Sequence, residues 1–256
     1  MLKRNNLANQ LIALLFGLAV ILFWQAGGFH VLLRLRPYQL PLPNEIFEAF
    51  IDNFDVMMVH TQYTMTEAVA GIFLGSGMGF LFAVFTAVVP RWGGGGLKLV
   101  TAINAIPMIA MAPIMNNWFG MDMGSKIAVV TMFTMAPMTI NAYYGLTHLR
   151  PFALDLMISY AAEPSAVFWQ LRLPNCLPHV FTAMKINTTV GLMAAIVSEF
   201  FVSHHGIGFE LSTVLKLSQM SLGWAYIVDA AVCGILLYSI VSVVERYAIK
   251  WHASQR

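Results

Sequence analysis

The sequence predicts an all-α, polytopic membrane protein, and three observations carry that prediction. Mean hydropathy is +0.72. Hydrophobic residues make up 59% of the 256 and charged residues only 10%, where a soluble domain carries about a quarter charged. The apolar residues also come in blocks of about 20, the length a helix needs to cross a bilayer.

Six blocks qualify as spans, near 10–28, 65–89, 97–116, 125–146, 179–201 and 223–244, in a single transmembrane domain over residues 1–256. The first follows a basic flank, Lys3 and Arg4. Its length, and the lack of a small-x-small cleavage site, read as a retained span rather than a signal peptide. Cytoplasmic segments are enriched in Lys and Arg. Placing both termini inside puts Arg91, Lys98, Arg150, Arg172, Lys185 and Arg246 on the same side and leaves Arg34, Arg36, Lys126 and Lys216 outside. A net charge of +2 gives no reason to expect a nucleic-acid partner.

After the first span, Asn44 is a plausible N-cap for a helix carrying Phe47, Phe50, Ile51 and Phe54 opposite Glu45, Glu48, Asp52 and Asp55. This amphipathic helix either lies on the outer membrane surface or packs on its own protein. In the second span Gly71, Gly75, Gly79, Ala83 and Ala87 recur every fourth residue, a flat face expected to receive another helix of the same chain. The run "PRWGGGG" (90–96) reads as a short inner connector, since no Gly-Lys-Ser/Thr follows to make a phosphate loop. Pro107, Pro113 and Pro137 are expected to kink spans three and four.

Polar residues inside spans cost free energy in lipid, so they are candidates for an aqueous pathway or for bonds between helices. Asn116, Asn117, Trp118, Asn141, Asn187 and Glu199 form the candidate pathway set, with Thr188, Thr189 and Asp229 nearby in the pattern. Ser198, Glu199, His204 and His205 are the densest titratable group. They lack the His-x-x-x-His spacing of a zinc helix and any nucleophile–base pair, so neither a metal site nor catalysis is expected. Cys176 and Cys233 fall in different elements and suggest no disulfide.

The stretch "AAEPSAVFWQLRLPNCLP" (161–178) interrupts the oil within a cytoplasmic loop near 147–178. Pro164 suits a first helical turn, with Glu163 at the positive end of the dipole. A short helix over 164–172 is expected, stopped by Pro174. Its face of Val167, Phe168 and Leu171 must pack on another protein or on the ends of its own spans.

With "DLMISYAAEPSAVFWQLRLP" this loop resembles that of binding-protein-dependent ABC importer permeases, where Glu-Ala-Ala, three residues, Gly, nine residues and Ile-x-Leu-Pro mark the helix that docks on the ATPase. Asp155 stands at the Glu position, Ala161 at the Gly, Leu171 at the Ile, and Leu173 and Pro174 at Leu-Pro; Leu156 and Met157 replace the alanines. "LPLPNEIFEAF", "IPMIAMAPIMNNWFGMDMGSKIAVV" and "IVSEFFVSHHGIGFEL" are similar to segments of the nitrate, sulfonate and taurine branch, with Glu199, Gly206 and Gly208 at matching positions.

The resemblance implies a type I importer permease fold in the inner membrane and a transport subunit rather than an enzyme, with no cofactor of its own. ATP and Mg would be bound by a partner ATPase. A second permease copy and an external solute-binding protein would complete the system. Asp155, Ala161, Ala162, Glu163, Pro164, Val167, Phe168, Leu171, Leu173 and Pro174 would form the ATPase-coupling element. The substrate class would be a sulfonate, nitrate or a pyrimidine-like heterocycle. The alternative from the residues alone is a self-sufficient ion-coupled carrier using Glu199 and Asp229.

Overall fold

The computed structural model describes residues 2–250, with side chains from 11 to 89 and 95 to 250. The expectations for Met1 and for the C-terminal tail from residue 251 lie outside the described residues. Among the described residues twelve α-helices follow one another: α1 Leu2–Gln25, α2 Gly28–Leu33, α3 Pro43–Asp52, α4 Phe54–Val88, α5 Pro90–Asn104, α6 Met108–Phe119, α7 Met123–Thr147, α8 Ala153–Ser159, α9 Pro164–Val167, α10 Leu173–Phe201, α11 Ile207–Lys216 and α12 Met220–Ala248. Among the described residues there is no strand.

Four continuous helical stretches are long and apolar enough to cross a membrane: Phe54–Val88, Met123–Thr147, Pro164–Phe201 and Met220–Ala248. The expected span near 97–116 is broken, α5 and α6 meeting at a 95° bend. The remaining apolar stretch, Leu11–Gln25, belongs to α1 and stands off the bundle with most of its side chains exposed. Its far end is anchored where Trp24 meets Trp224 edge-on, at 5.7 Å between ring centroids, and where Gln25 and Asn44 exchange two hydrogen bonds.

The centre of the bundle is the crossing of α4 on α7, with α10 against both. Gly71, Gly75 and Gly79 turn their bare face to α7, and a Cβ on Gly75 would overlap the Thr134 hydroxyl and the Thr131 carbonyl. That close approach lets α7 hydroxyls reach across. Thr134 donates to the Gly71 carbonyl at 3.3 Å and Thr139 to that of Gly79 at 3.1 Å. The stripe is thus an intramolecular seam. Ile72, Val129, Val130, Phe133, Leu192 and Ala195 fill the interior beside it.

Several expectations are corrected. The glycine run at 90–96 is no connector but the start of α5, with Pro90 in the first turn, where its missing N–H costs no bond, and Gly96 packed under Thr86 and Phe82. Pro107 sits at a full break rather than a kink within a helix, while Pro113 and Pro137 lie inside α6 and α7 as expected. The amphipathic helix begins at Pro43 rather than after Asn44. Its Glu45 accepts the Leu42 N–H at 3.0 Å, while Ile46 and Phe50 face the core and Phe47 and Ile51 are exposed.

Gly75→Ala is expected to lower the thermal stability of the detergent-solubilised protein by about 1–3 kcal/mol, the usual cost of overpacking. Gly77→Ala, where a Cβ would meet nothing within 4 Å, is expected to be neutral or slightly stabilising. Paired melting curves check the contrast.

Candidate functional site

Two regions concentrate the sequence-predicted residues, at opposite ends of α10. The first is the loop 147–178. Asn175 ties its two ends together, donating from one amide nitrogen to the carbonyls of Gly145 at 2.7 Å and His148 at 3.1 Å. Cys176 lies buried against Ala142, and any side chain at Gly145 would strike the Cys176 backbone, so α7 and α10 touch almost backbone to backbone here.

From this base α8 projects, with exposed Asp155 in its first turn. It ends on Ala161, whose φ is +52°. The Ala162 N–H bonds to the Met157 carbonyl and the Ala161 N–H to that of Ile158. These are the two reversed bonds of a Schellman ending, which needs a left-handed residue and is usually supplied with glycine. Ala161 therefore holds a conformation that costs a Cβ-bearing residue about 1–2 kcal/mol.

Glu163, in extended conformation, leads into Pro164 at the first turn of α9. Pro174 does not stop the helix. A π-helical turn over Phe168–Arg172, in which the Leu173 N–H reaches the Phe168 carbonyl, carries α9 into α10 as one continuous helix from Pro164 to Phe201. The wider turn displaces the carbonyls that the Pro174 ring would otherwise strike.

The apolar face of this segment turns inward. Val167 is 8% exposed and Phe168 packs with Ala83, Met138 and Leu146, while Leu171 and Leu173 are half-buried. The exposed apolar side chains are others: Phe152 (81%), Leu156 (57%), Ile158 (62%), Tyr160 (79%) and Trp169 (65%). Ala162 is half-buried.

The second region surrounds Glu199, fully buried near the far end of α10. The Thr64 hydroxyl donates to it at 2.7 Å and accepts the Ile207 N–H at 2.8 Å. Gly208 donates its N–H to Glu199 at 2.8 Å. Gly206 (φ +102°) and Gly208 leave no room for a Cβ between this loop and Glu199. Glu67 lies alongside Glu199, and the buried Lys126 is the cation facing both; its ammonium also donates to the Met121 carbonyl.

Farther out, His60 accepts the Gly206 N–H at 3.1 Å and lies 3.2 Å from Glu210, and Thr61 donates to the buried Asp229. The arrangement clamps residues 206–210 onto α4 and α10. Among the described residues no group of three or more metal-ligating side chains converges.

The candidate pathway residues are therefore scattered. Glu199 serves the clamp, and Asn187 is buried where α4, α7 and α10 cross, donating to Ser76 and to the Thr134 carbonyl. Asn116 donates to the Val202 carbonyl and Asn141 to its own helix at Pro137, leaving Asn117 and Trp118 exposed. Sequence reasoning passed over Glu67 and counted Lys126 only among the outer basic residues, whereas it is buried beside Glu67 and Glu199. Both fall just inside the expected span boundaries, and that position was the available signal.

The chain matches the family of binding-protein-dependent transport system inner membrane components over residues 71–250. The chain belongs to this family. Among curated members of such transport systems, the formylaminopyrimidine transport permease protein of Halalkalibacterium halodurans is 26% identical over 94% of this chain and 96% of its own length. The taurine transport system permease protein of Escherichia coli is 23% identical over 97% and 93%. A chain of the MetNI methionine ABC transporter, solved in inward-facing conformations, superposes with a TM-score of 0.66 at 14% identity, over 75% of this chain and 95% of that one. This likeness fixes a type I ABC permease fold in the membrane, and the matches give the self-sufficient carrier no support.

Ala161→Gly is expected to raise thermal stability by about 0.5–1 kcal/mol, relief of the left-handed strain outweighing the entropy added to the unfolded chain. Glu199→Ala is expected to cost about 3 kcal/mol or more, because it leaves the Gly208 N–H and the Thr64 hydroxyl without their buried acceptor and takes one of two carboxylates from Lys126. Glu210→Ala, at the rim of the same network, should cost about 1 kcal/mol or less. Melting temperatures of the three purified variants check both expectations.

Proposed function

We propose that this chain is the permease subunit of an ATP-driven importer, and that the 147–178 loop is where a separate ATPase subunit grips it. The observation that carries the proposal is the exposed apolar cluster of Phe152, Leu156, Ile158, Tyr160 and Trp169 on a short loop bounded by the ends of two spans. An apolar patch outside the membrane marks a protein-binding surface. Aromatic residues of this kind are the usual anchors of such surfaces. Beside it, Arg150, Gln170, Asn175 and His179 line a cleft of about 310 Å³ suited to a partner side chain.

In this reading both termini and the loop face the cytoplasm, in keeping with the distribution of Lys and Arg. ATP and Mg bind in the partner, a second permease copy completes the pathway, and an external binding protein delivers the solute to the 206–216 end. The substrate is a small solute of the sulfonate, nitrate or pyrimidine class, in keeping with the transport systems of the relatives. Asp155, Ala161 and Glu163 to Pro174 act by holding the exposed cluster on a rigid stem, with Val167 and Phe168 as its root rather than its contact face.

Trp169→Asp is expected to leave the permease folded and membrane-inserted while reducing co-purification of the ATPase and ATP-driven uptake by about tenfold or more, the loss typical of an interface aromatic anchor. Undiminished uptake in this variant would remove the loop from the coupling role. An active transporter purified without any ATPase would overturn the permease reading itself.

A further inference from the structure

The break between α5 and α6 has no expected counterpart in a lipid-facing wall. No backbone N–H among the described residues reaches the carbonyls of Asn104, Ala105 or Ile106; the bonds closing the turn go instead to Ala102, Ile103 and Pro107. Asn104, Ala105, Ile106 and Pro107 are all exposed, and the Asn104 amide has no partner among the described residues. The next residue, Met108, packs against the interior cluster of Ile72, Val129, Phe133 and Leu192, which puts the turn at the depth of the spans and not at their ends.

Irregular backbone at that depth is tolerated only where it is buried in protein or lines a water-filled cavity, since each unmet polar group costs several kcal/mol in lipid. A dry protein contact would still leave three carbonyls and an amide to be matched. Water satisfies them all. We infer that the turn at residues 104–107 lines the aqueous translocation pathway, and that its wall presents neutral hydrogen-bonding groups to the passing solute. This rests on the importer reading given above.

The chemistry of the wall follows from the same geometry. The negative end of α5 and the positive end of α6 meet at the turn, so the two helix dipoles offset each other. No charged side chain lies between residues 99 and 121. Such a wall offers carbonyl acceptors and an amide to a solute with N–H or O–H groups. It offers no cation to a bare inorganic anion. The six pathway candidates chosen from sequence omit this turn, although Asn104 is a polar residue within the expected span 97–116.

The test is thiol labelling in membrane vesicles containing the full chain. The wild type supplies the blank, as its two cysteines, Cys176 and Cys233, are both buried. Asn104→Cys and Ile106→Cys are compared with Phe73→Cys and Ile235→Cys, exposed positions on regular helices. With membrane-impermeant methanethiosulfonates the two turn positions should react about tenfold faster or more than the two helix positions, because only water-borne thiols ionise and meet the reagent.

Equal, slow labelling at all four would overturn the inference. A trimethylammonium reagent and a sulfonate reagent should label Asn104→Cys at rates within about threefold of each other. A preference of about tenfold for the sulfonate would show an electropositive wall and overturn the neutral-solute part. Co-purification of an ATPase with each variant is scored in parallel. Slow labelling with the ATPase present defeats this inference alone, whereas absence of the ATPase from the wild type defeats the importer reading.

Discussion

The α4–α7 seam is the constraint on which the other contacts depend. Three glycines on α4 bring two long helices close enough for Thr134 and Thr139 to bond to main-chain carbonyls across the gap. Lipid offers no hydrophobic drive for helices to associate, so close packing and such bonds must supply it. Once that pair is fixed, Asn187 finds Ser76 and the Thr134 carbonyl together, and Gly191 of α10 sits directly on Ile72. The third long helix is thereby set in register.

At one end of the trio the register brings Glu199 to Thr64, so that residues 206–208 can be held by main-chain N–H groups. At the other it brings Gly145 under Cys176, so that α7 and α10 leave the bundle as a tight pair with the 147–178 loop between them. Both sites are consequences of one crossing. The buried charges fit the same logic: Glu67, Lys126 and Glu199 come from α4, α7 and α10, one from each member. Lys126 is the cation facing both carboxylates, so its removal strands two buried acids, which makes the cluster a check on the correct assembly of all three.

Much of this was legible in the sequence because it depends on local pattern. The four-residue glycine step announced a close intramolecular face, and the apolar blocks announced the spans. Pro164 after Glu163 announced a helix start. What was not legible depends on compensation by neighbours. Pro174 reads as a stop, yet a π turn five residues long absorbs it. Val167 and Phe168 read as an open face because nothing local reveals that Val167 is buried and that Phe168 packs on the cluster of Ala83 and Leu146. Asn104 reads as mid-span, since Pro107 announces a kink in the sequence but not a full 95° break three residues after Asn104. Ala161 is the reverse case: it stands at the family's glycine position, and the alanine adopts the left-handed conformation that favours glycine.

The unbroken run from Pro164 to Phe201 has a mechanical meaning. Thirty-eight helical residues extend about 57 Å, beginning beside the exposed aromatic cluster and ending in the Glu199 clamp. Over that length a tilt of about 5° at one end displaces the other by about 5 Å, close to one helical turn. Had Pro174 ended the helix, such a tilt would be lost in a hinge. With the π turn in its place, one continuous helix joins the loop end of the molecule to the Glu199 clamp.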